Sequence, residues 1–441
     1  MNRVSFYLLR FSLILLITAL CVGVAAAFVF FDTGFFNQFL PFYKLRPIHV
    51  TASIFWILTA AQGGVIYYLN DYYKLEHKQT LLIKASYFLW LLSIILILIN
   101  FLSGKFGGRE YWEFPPILAI PILLSWALFA IHFFKIILKN KGKKPVYIWM
   151  WSTGVVFFLL TYIEANLWQI PWFRENVIRD ITVQWKANGA IVGSWNQLVY
   201  GTAFYLMAKI GEDENSAFDK KSFFFYFLGL TNLIFNWGHH TYNVPAATWV
   251  RDVSYVISMT EWILLINIMQ NFKSKISEAK KFLNIIPYRF LLASEAWVFL
   301  NLILAILMSI PAINIYTHGT HITVAHAMGA TIGINTMILF ASLFFIFSKR
   351  DNNFSLINNK TITMFFWSAN IALLFFWAAL ILAGITKGFY MVSLSQTFET
   401  AMQHVKPYLF IFSITGTILA FSLLVLSIVL LRAKIFSNNK A

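Results

Sequence analysis

The sequence predicts an all-α fold, a polytopic membrane protein built as a bundle of twelve transmembrane helices. Three observations carry that expectation. The chain is 59% hydrophobic and 18% aromatic, yet only 12% of its residues are charged, about half the charged share of a soluble domain. Hydropathy resolves about twelve apolar stretches, each near the roughly 20 residues a helix needs to cross a hydrocarbon core. Lys and Arg, finally, gather in alternate connections, as they do in loops retained on the cytoplasmic side.

Taken in order, the stretches lie near 5–31, 47–69, 81–102, 116–138, 146–168, 187–209, 221–245, 249–271, 288–311, 318–348, 361–386 and 407–432. Helix is the expectation for each, because an open strand would leave backbone N–H and C=O groups unpaired in lipid. The first stretch is too long, and too poor in a small-residue cleavage site, for a removable signal peptide, and reads as helix one. No internal repeat, low-complexity segment or soluble appendage interrupts the series, so 1–441 reads as a single transmembrane domain. The one cysteine, Cys21, lies within an apolar stretch and permits no intramolecular disulfide.

Basic residues set the orientation. The Lys139–Lys144 loop, the Lys273–Lys281 loop, Lys349 with Arg350, and the Arg432–Lys440 tail fall on one side. About 24 of the 34 Lys and Arg lie on that side, which places both termini in the cytoplasm. The expected location is a bacterial inner membrane. Positive-inside loops and anionic lipid account for the net charge of +16, so the lipid bilayer is an expected partner and nucleic acid is not.

Against this background the histidines stand out. The chain has nine, and alternating the helices in and out brings several to one level in the outer half of the membrane. His49 lies near the outer start of helix two and Asn188 near that of helix six. His239 and His240 close helix seven, in N-W-G-H-H-T-Y-N, and His326 and Met328 lie about two turns into helix ten. A single intramembrane histidine is equally well a hydrogen-bonded packing residue, but strongly polar groups in a bilayer usually face the bundle interior and have partners. Imidazole is a common iron and copper ligand, and the thioether of methionine is the other frequent axial donor to haem. His77 and His132 fall towards the cytoplasmic side and His404 at an interface. His318 and His321, at the outer start of helix ten, suit haem propionates or lipid headgroups equally.

Four motifs in this order resemble a known family: R-P-I-H-V-T-A-S-I-F-W (Arg46–Trp56), G-R-E-Y-W-E-F-P (Gly108–Pro115), W-G-H-H (Trp237–His240) and Y-T-H-G-T-H-I-T-V-A-H (Tyr316–His326). They resemble the catalytic subunit of the haem-copper oxidases, over essentially the whole chain. The G-R-E-Y-W-E-F-P loop is the most specific, and is similar to that of the cytochrome c-dependent nitric oxide reductases. The resemblance implies a low-spin haem b, a high-spin haem b3 and a non-haem iron or copper facing the latter. It makes His49 an axial ligand of the low-spin haem, His326 the proximal ligand of the high-spin haem, and His239 and His240 ligands of the second metal. Glu110 matches a carboxylate that holds a calcium ion at the haem propionates, a suitable task for a hard oxygen ligand, and Arg46 and Arg109 would face those propionates. Glu261 matches a buried glutamate near the second metal. Apart from any resemblance, a carboxylate in mid-helix calls for a proton or metal role.

Two departures qualify the match. Where the family places a third metal histidine on helix six, this chain has Asn188, and the glutamate positions that follow are Val192 and Asn196. A metal held by His239, His240 and the Asn188 amide would be bound weakly, be a different metal, or be absent. On helix ten the family's H-x-H is His326-Ala327-Met328. Met328 could complete a His49/Met328 low-spin haem of raised potential, or could simply pack. The oxygen-reducing C-type branch also carries a tyrosine about two turns before the paired histidines, and L-T-N-L-I-F-N-W has none.

The expected function is therefore that of a membrane oxidoreductase reducing nitric oxide to nitrous oxide and water, with Glu261 and Asn188 as catalytic candidates. Electrons would come from a periplasmic cytochrome c, as a partner subunit or a soluble donor. Two other readings stay open: a dismutase-like enzyme turning nitric oxide into dinitrogen and dioxygen, and a non-catalytic haem protein that has lost the second metal.

Overall fold

The computed structural model describes residues 3–32, 41–75, 80–242, 244–245, 247–260, 284–349 and 354–433. Nearly every described residue of the apolar stretches is helical. We number the long helices α1 (Arg3–Phe31), α2 (Phe42–Tyr72), α3 (Leu81–Leu102), α4 (Ala119–Lys139), α5 (Val146–Glu164), α6 (Val177–Gly211), α7 (Lys220–Phe235), α8 (Thr248–Thr260) and α9 (Ile285–Ser309), followed by α10 (His321–Ser348), α11 (Phe354–Gly388) and α12 (Phe398–Leu431). Among the described residues, nine helices are long and apolar enough to cross a membrane. α6, α7 and α8 overlap the stretches predicted sixth, seventh and eighth and are not among those nine; α7 ends ten residues short of 245, and 261–271 of the eighth stretch lie outside the described residues. The coarse expectation, an all-helical polytopic membrane protein, holds.

The chain divides into two compact units, Met1–Ser12 with Ile54–Ile268, and Leu13–Ser53 with Met269–Ala441. In the first unit α3 and α4 are joined by reciprocal bonds, the Ser86 hydroxyl donating to the Ser125 carbonyl (2.9 Å) and the Ser125 hydroxyl to that of Ser86 (2.7 Å). The Trp90 indole donates to the Thr59 hydroxyl at 2.8 Å, and its ring lies 5.1 Å from Phe55 and 5.6 Å from Trp126. Small residues let α5 and α6 approach closely: a Cβ on Gly154 would sit 2.7 Å from both Leu198 Cγ and the Ser194 carbonyl oxygen. The Trp151 indole reaches across the same contact to the Leu198 carbonyl (3.2 Å).

In the second unit the Trp297 indole of α9 donates to Asn370 Oδ1 of α11 at 3.1 Å, and the Ser368 and Ser422 hydroxyls tie α11 to α12 at 2.8 Å. The helix starts are capped where the sequence permits. Asn176, Thr320 and Thr397 accept from the backbone N–H of Arg179, Ile322 and Thr400 at 3.0, 3.3 and 3.2 Å, opening α6, α10 and α12. Large exposed apolar side chains such as Phe88, Ile117, Trp367 and Phe421 are what a lipid-facing surface requires, since such area in water would be an aggregation site.

Gly154→Ala tests the α5–α6 contact. Overpacking at a site that cannot give should destabilise the protein by about 1–3 kcal/mol, read as a lower unfolding temperature in detergent; Gly142→Ala, where an added Cβ has open space but φ is +126°, separates a packing clash from backbone strain.

Candidate functional site

His49 is the best-defined candidate. Its Nδ1 lies 2.8 Å from the Ala19 carbonyl oxygen of α1. A carbonyl can only accept, so Nδ1 carries the proton and Nε2 is left with a bare lone pair, the tautomer a metal ligand needs. The ring fits because residue 23 is glycine: a Cβ there would stand 2.6 Å from Nδ1 and 2.7 Å from Cε1. Arg46 lies one helical turn before His49 and so on the same side of α2.

His326 and Met328 end the α-helical first part of α10, and a π-helical segment, Gly329–Thr336, follows at once. Such segments are rare and often sit at functional sites, because they shift the side-chain register of a helix without ending it. Buried polar atoms collect here. His326 Nδ1 has no hydrogen-bond partner, and neither have Asn301 Oδ1 and Trp377 Nε1. The last two converge on Gly329, whose added Cβ would meet them at 2.4 and 3.2 Å. Buried groups without partners are uncommon in a native interior, and an unfilled ligand site is one of the recognised reasons for them. His321, one turn and a half earlier, also has a buried Nδ1 without a partner, and packs against Phe30 at 6.1 Å between ring centroids.

The paired histidines do not close an α-helix, as the apolar run suggested. The α-helix stops at Phe235, and Asn236–Thr241 form a 3₁₀ turn. In that geometry residues three apart eclipse, which brings Asn236 Oδ1 to 3.0 Å from His239 Nδ1. The same Asn236 accepts the Ser258 hydroxyl on its side chain and the Ser254 hydroxyl on its carbonyl (2.9 Å), fastening the turn to α8. The two imidazoles lie 4.2 Å apart at 44°, and His240 stacks on Trp185 at 5.8 Å and 14°. Gly189 of α6 passes close by, its added Cβ 3.6 Å from His240 Cδ2 and 3.0 Å from Trp237 Cβ. The next residue back, Asn188, has a buried Nδ2 without a partner. Among the described residues, no three His, Cys, Asp or Glu side chains come together in a metal-binding group. Two imidazoles and a neutral amide do not match a full second-metal donor set. Glu261 lies outside the described residues.

The Gly107–Pro115 loop is a tight turn closed on itself. The N–H groups of Gly107 and Gly108 donate to the Glu113 carbonyl at 3.1 and 3.2 Å, and Trp112 N–H to the Arg109 carbonyl at 2.9 Å. Tyr111 adopts φ 71°, and Gly108 is required because a Cβ would fall 1.8 Å from the Trp112 carbonyl oxygen. Arg109 of this loop pairs with Asp180 of α6 at 2.7 Å and lies 5.1 Å over the Trp168 ring. Glu110 sits at the tip of the same turn and has interactions of its own. Asp180, Trp168, Gly23, Asn236, Asn301 and Trp377 were not singled out from the sequence. A glycine within an apolar helix was the available signal for Gly23, and an acid in the first turn of a helix that for Asp180.

Gly23→Ala should displace the His49 ring; with His49 as a haem ligand, as the resemblance implies, it should behave like His49→Ala and reduce both haem content and the low-spin band of the reduced-minus-oxidised spectrum. Normal haem content and spectrum in Gly23→Ala would contradict the cradle assigned to this glycine.

Comparison with known proteins bears on all of these residues. A 393-residue match gives 25% identity to cytochrome c oxidase subunit 1 of Rhodobacter capsulatus, covering 84% of this chain and 72% of that one. The cbb3-type cytochrome c oxidase subunit CcoN1 of Stutzerimonas stutzeri is 26% identical over 379 residues, covering 80% and 77%. A nitric oxide reductase subunit of the same organism is 21% identical over 352 residues, covering 75% and 72%. Oxidases thus match at least as well as the reductase, and identity alone does not single out the reductase branch. The fold is similar to that of a haem-copper terminal oxidase dimer solved by cryo-electron microscopy, with a TM-score of 0.74 and 13% identity over 99% of this chain and 85% of that one. The family model for cytochrome c and quinol oxidase polypeptide I matches residues 3–418. The chain belongs to that family, and is a membrane oxidoreductase of the haem-copper oxidase subunit I superfamily.

Proposed function

We propose that this chain is the twelve-crossing, single-domain catalytic subunit of a nitric oxide-reducing membrane enzyme, with both termini in the cytoplasm and electrons supplied by a periplasmic cytochrome c. The observation that favours reduction of nitric oxide over dioxygen concerns α7. Two turns before His239 stands Asn232, with a buried Oδ1 lacking a partner, and not a phenol. The nearest tyrosine before it on α7 is Tyr226, whose hydroxyl is bonded to Thr153 at 2.8 Å. Splitting dioxygen calls for an extra electron and proton close to the reacting atoms, and nitric oxide reduction does not.

The fit to two b-type haems rests on this chain's own donors. His49 presents Nε2, with Nδ1 held by Ala19; Met328 supplies a thioether; and His326 offers an imidazole whose Nδ1 is buried without a geometric hydrogen-bond partner. When bound, haem iron supplies one-electron transfer and a site for the diatomic substrate. The protein's part is to fix these imidazoles, exclude water and deliver protons. Glu261 is the residue we assign to proton delivery, and Asn188 a polar group for the substrate. Arg46 and Arg109 are assigned to the propionate side and Glu110 to a calcium ion there. Asp180 then acts through Arg109 by holding its guanidinium in place. The donors at His239 and His240 fall short of a full second-metal site, and no step is drawn through such a metal.

A second reading, a haem protein without the second metal, is favoured by that shortfall. Metal analysis of the purified protein separates the two: iron in excess of haem, or stoichiometric copper, is expected for the enzyme, whereas iron equal to haem with no copper supports the second reading. With reduced cytochrome c and nitric oxide, the enzyme should produce nitrous oxide. Dioxygen released from nitric oxide without added reductant would instead establish a dismutase. Met328→His should shift the low-spin haem band and lower its reduction potential, since imidazole favours the ferric state more than thioether does; an unchanged spectrum would refute axial ligation by Met328.

A further inference from the structure

A cluster of oxidisable rings on α2, α5 and α6 includes none of the residues assigned above. Tyr205 of α6 is fully buried. Its ring centroid lies 4.3 Å from Tyr68, 5.2 Å from Tyr147 and 5.9 Å from Trp151, and Tyr72 stands 5.7 Å from Tyr147. Aromatic packing explains such rings by itself, but it does not explain the hydroxyl. Tyr205 O–H donates a hydrogen bond to Asp71 Oδ2, at the end of α2, and Asp71 is exposed. A buried phenol is thereby joined to solvent through one carboxylate. Tyr162, in the neighbouring aromatic cluster with Trp112 and Phe158, is the contrasting case: its hydroxyl is buried with no partner.

That difference matters for one-electron chemistry. Removing an electron from a phenol makes its O–H strongly acidic, and a buried radical cation is costly unless the proton leaves with the electron. We propose that Tyr205 is a redox-active tyrosine that takes up stray oxidising equivalents, with Asp71 as its proton acceptor. In the step, a one-electron oxidant of higher potential gains one electron. Tyr205 loses that electron and its hydroxyl proton to become a neutral phenoxyl radical, while the Asp71 carboxylate gains the proton and passes it to water. A one-electron reductant then restores the phenol, with the proton returning through Asp71. The Lys209 ammonium, 5.7 Å from the Tyr205 ring centroid and paired with Glu214 at 2.5 Å, disfavours a charged radical and so strengthens the coupling of electron to proton. The surrounding Tyr68, Tyr147 and Trp151 rings give an arriving hole neighbours in contact from which to reach Tyr205. This role is independent of which reaction the enzyme catalyses.

The test uses the purified full-length protein and hexachloroiridate(IV) as a one-electron oxidant, with rapid freezing and EPR. A tyrosyl signal is expected, collapsing in width when ring-deuterated tyrosine is incorporated and forming more slowly in deuterium oxide. Tyr205→Phe, which keeps the ring and its packing, should remove the signal, and Tyr162→Phe should leave it. Asp71→Asn keeps a hydrogen-bond partner but not a base, and should slow radical formation on the order of tenfold or more. A signal that survives in Tyr205→Phe, or formation in Asp71→Asn at the wild-type rate, would overturn the proposal.

Discussion

Hydrocarbon offers a polar group no partner, and the architecture of this protein depends on that constraint. Backbone groups meet it by forming helices throughout the described membrane-crossing stretches. Small polar side chains meet it by turning back on their own helix: Ser53, Thr161, Thr202 and Ser427 each donate to the carbonyl four residues earlier, at 2.6–3.0 Å. The polar groups that cannot do this are the ones that shape the site. Primary amides can use the same device through Nδ2, as Asn232 and Asn370 do at 3.2 and 2.9 Å, whereas the His49 imidazole takes its partner from another helix.

His49 and His326 show two surroundings for Nδ1. The Ala19 carbonyl is shared with His49, which fixes a tautomer and an aim, and Gly23 clears the space for the ring. His326 is left with a buried Nδ1 that has no hydrogen-bond partner, beside Asn301 Oδ1 and Trp377 Nε1 in the same condition. The π-helical segment that follows Met328 belongs to the same account. It changes the register of α10 after these residues, and within it Gly333 passes so close to Trp297 that an added Cβ would meet the ring. The chain's membership of the cytochrome c and quinol oxidase polypeptide I family is the setting in which we proposed these donors as haem ligands.

The paired histidines depart from that pattern. They are held firmly, His239 by Asn236 and His240 by Trp185, and the turn that carries them is pinned to α8 through Ser254 and Ser258. Among the described residues no third His, Cys, Asp or Glu joins them in a metal-binding group, and Asn188, beside the Gly189 that passes close to His240, carries a buried amide nitrogen without a partner.

The helical, membrane-embedded character of the chain was readable from composition and hydropathy, because burial in lipid is a property of whole segments and survives averaging over 20 or so residues. His49, His326 and the His239–His240 pair were readable for a related reason: an imidazole in an apolar stretch is conspicuous whatever its neighbours. Their surroundings were not. The 3₁₀ turn at Asn236 looked like a continuation of α7, since an apolar run carries no mark of where three residues per turn replace 3.6. The pairing of Arg109 with Asp180 joins residues 71 apart, and that of Tyr205 with Asp71 residues 134 apart. Hydrophobic pattern has a range of one helix, whereas a tautomer, an ion pair or a proton acceptor is fixed by whichever helix packs alongside, and only the folded arrangement of helices supplies that neighbour.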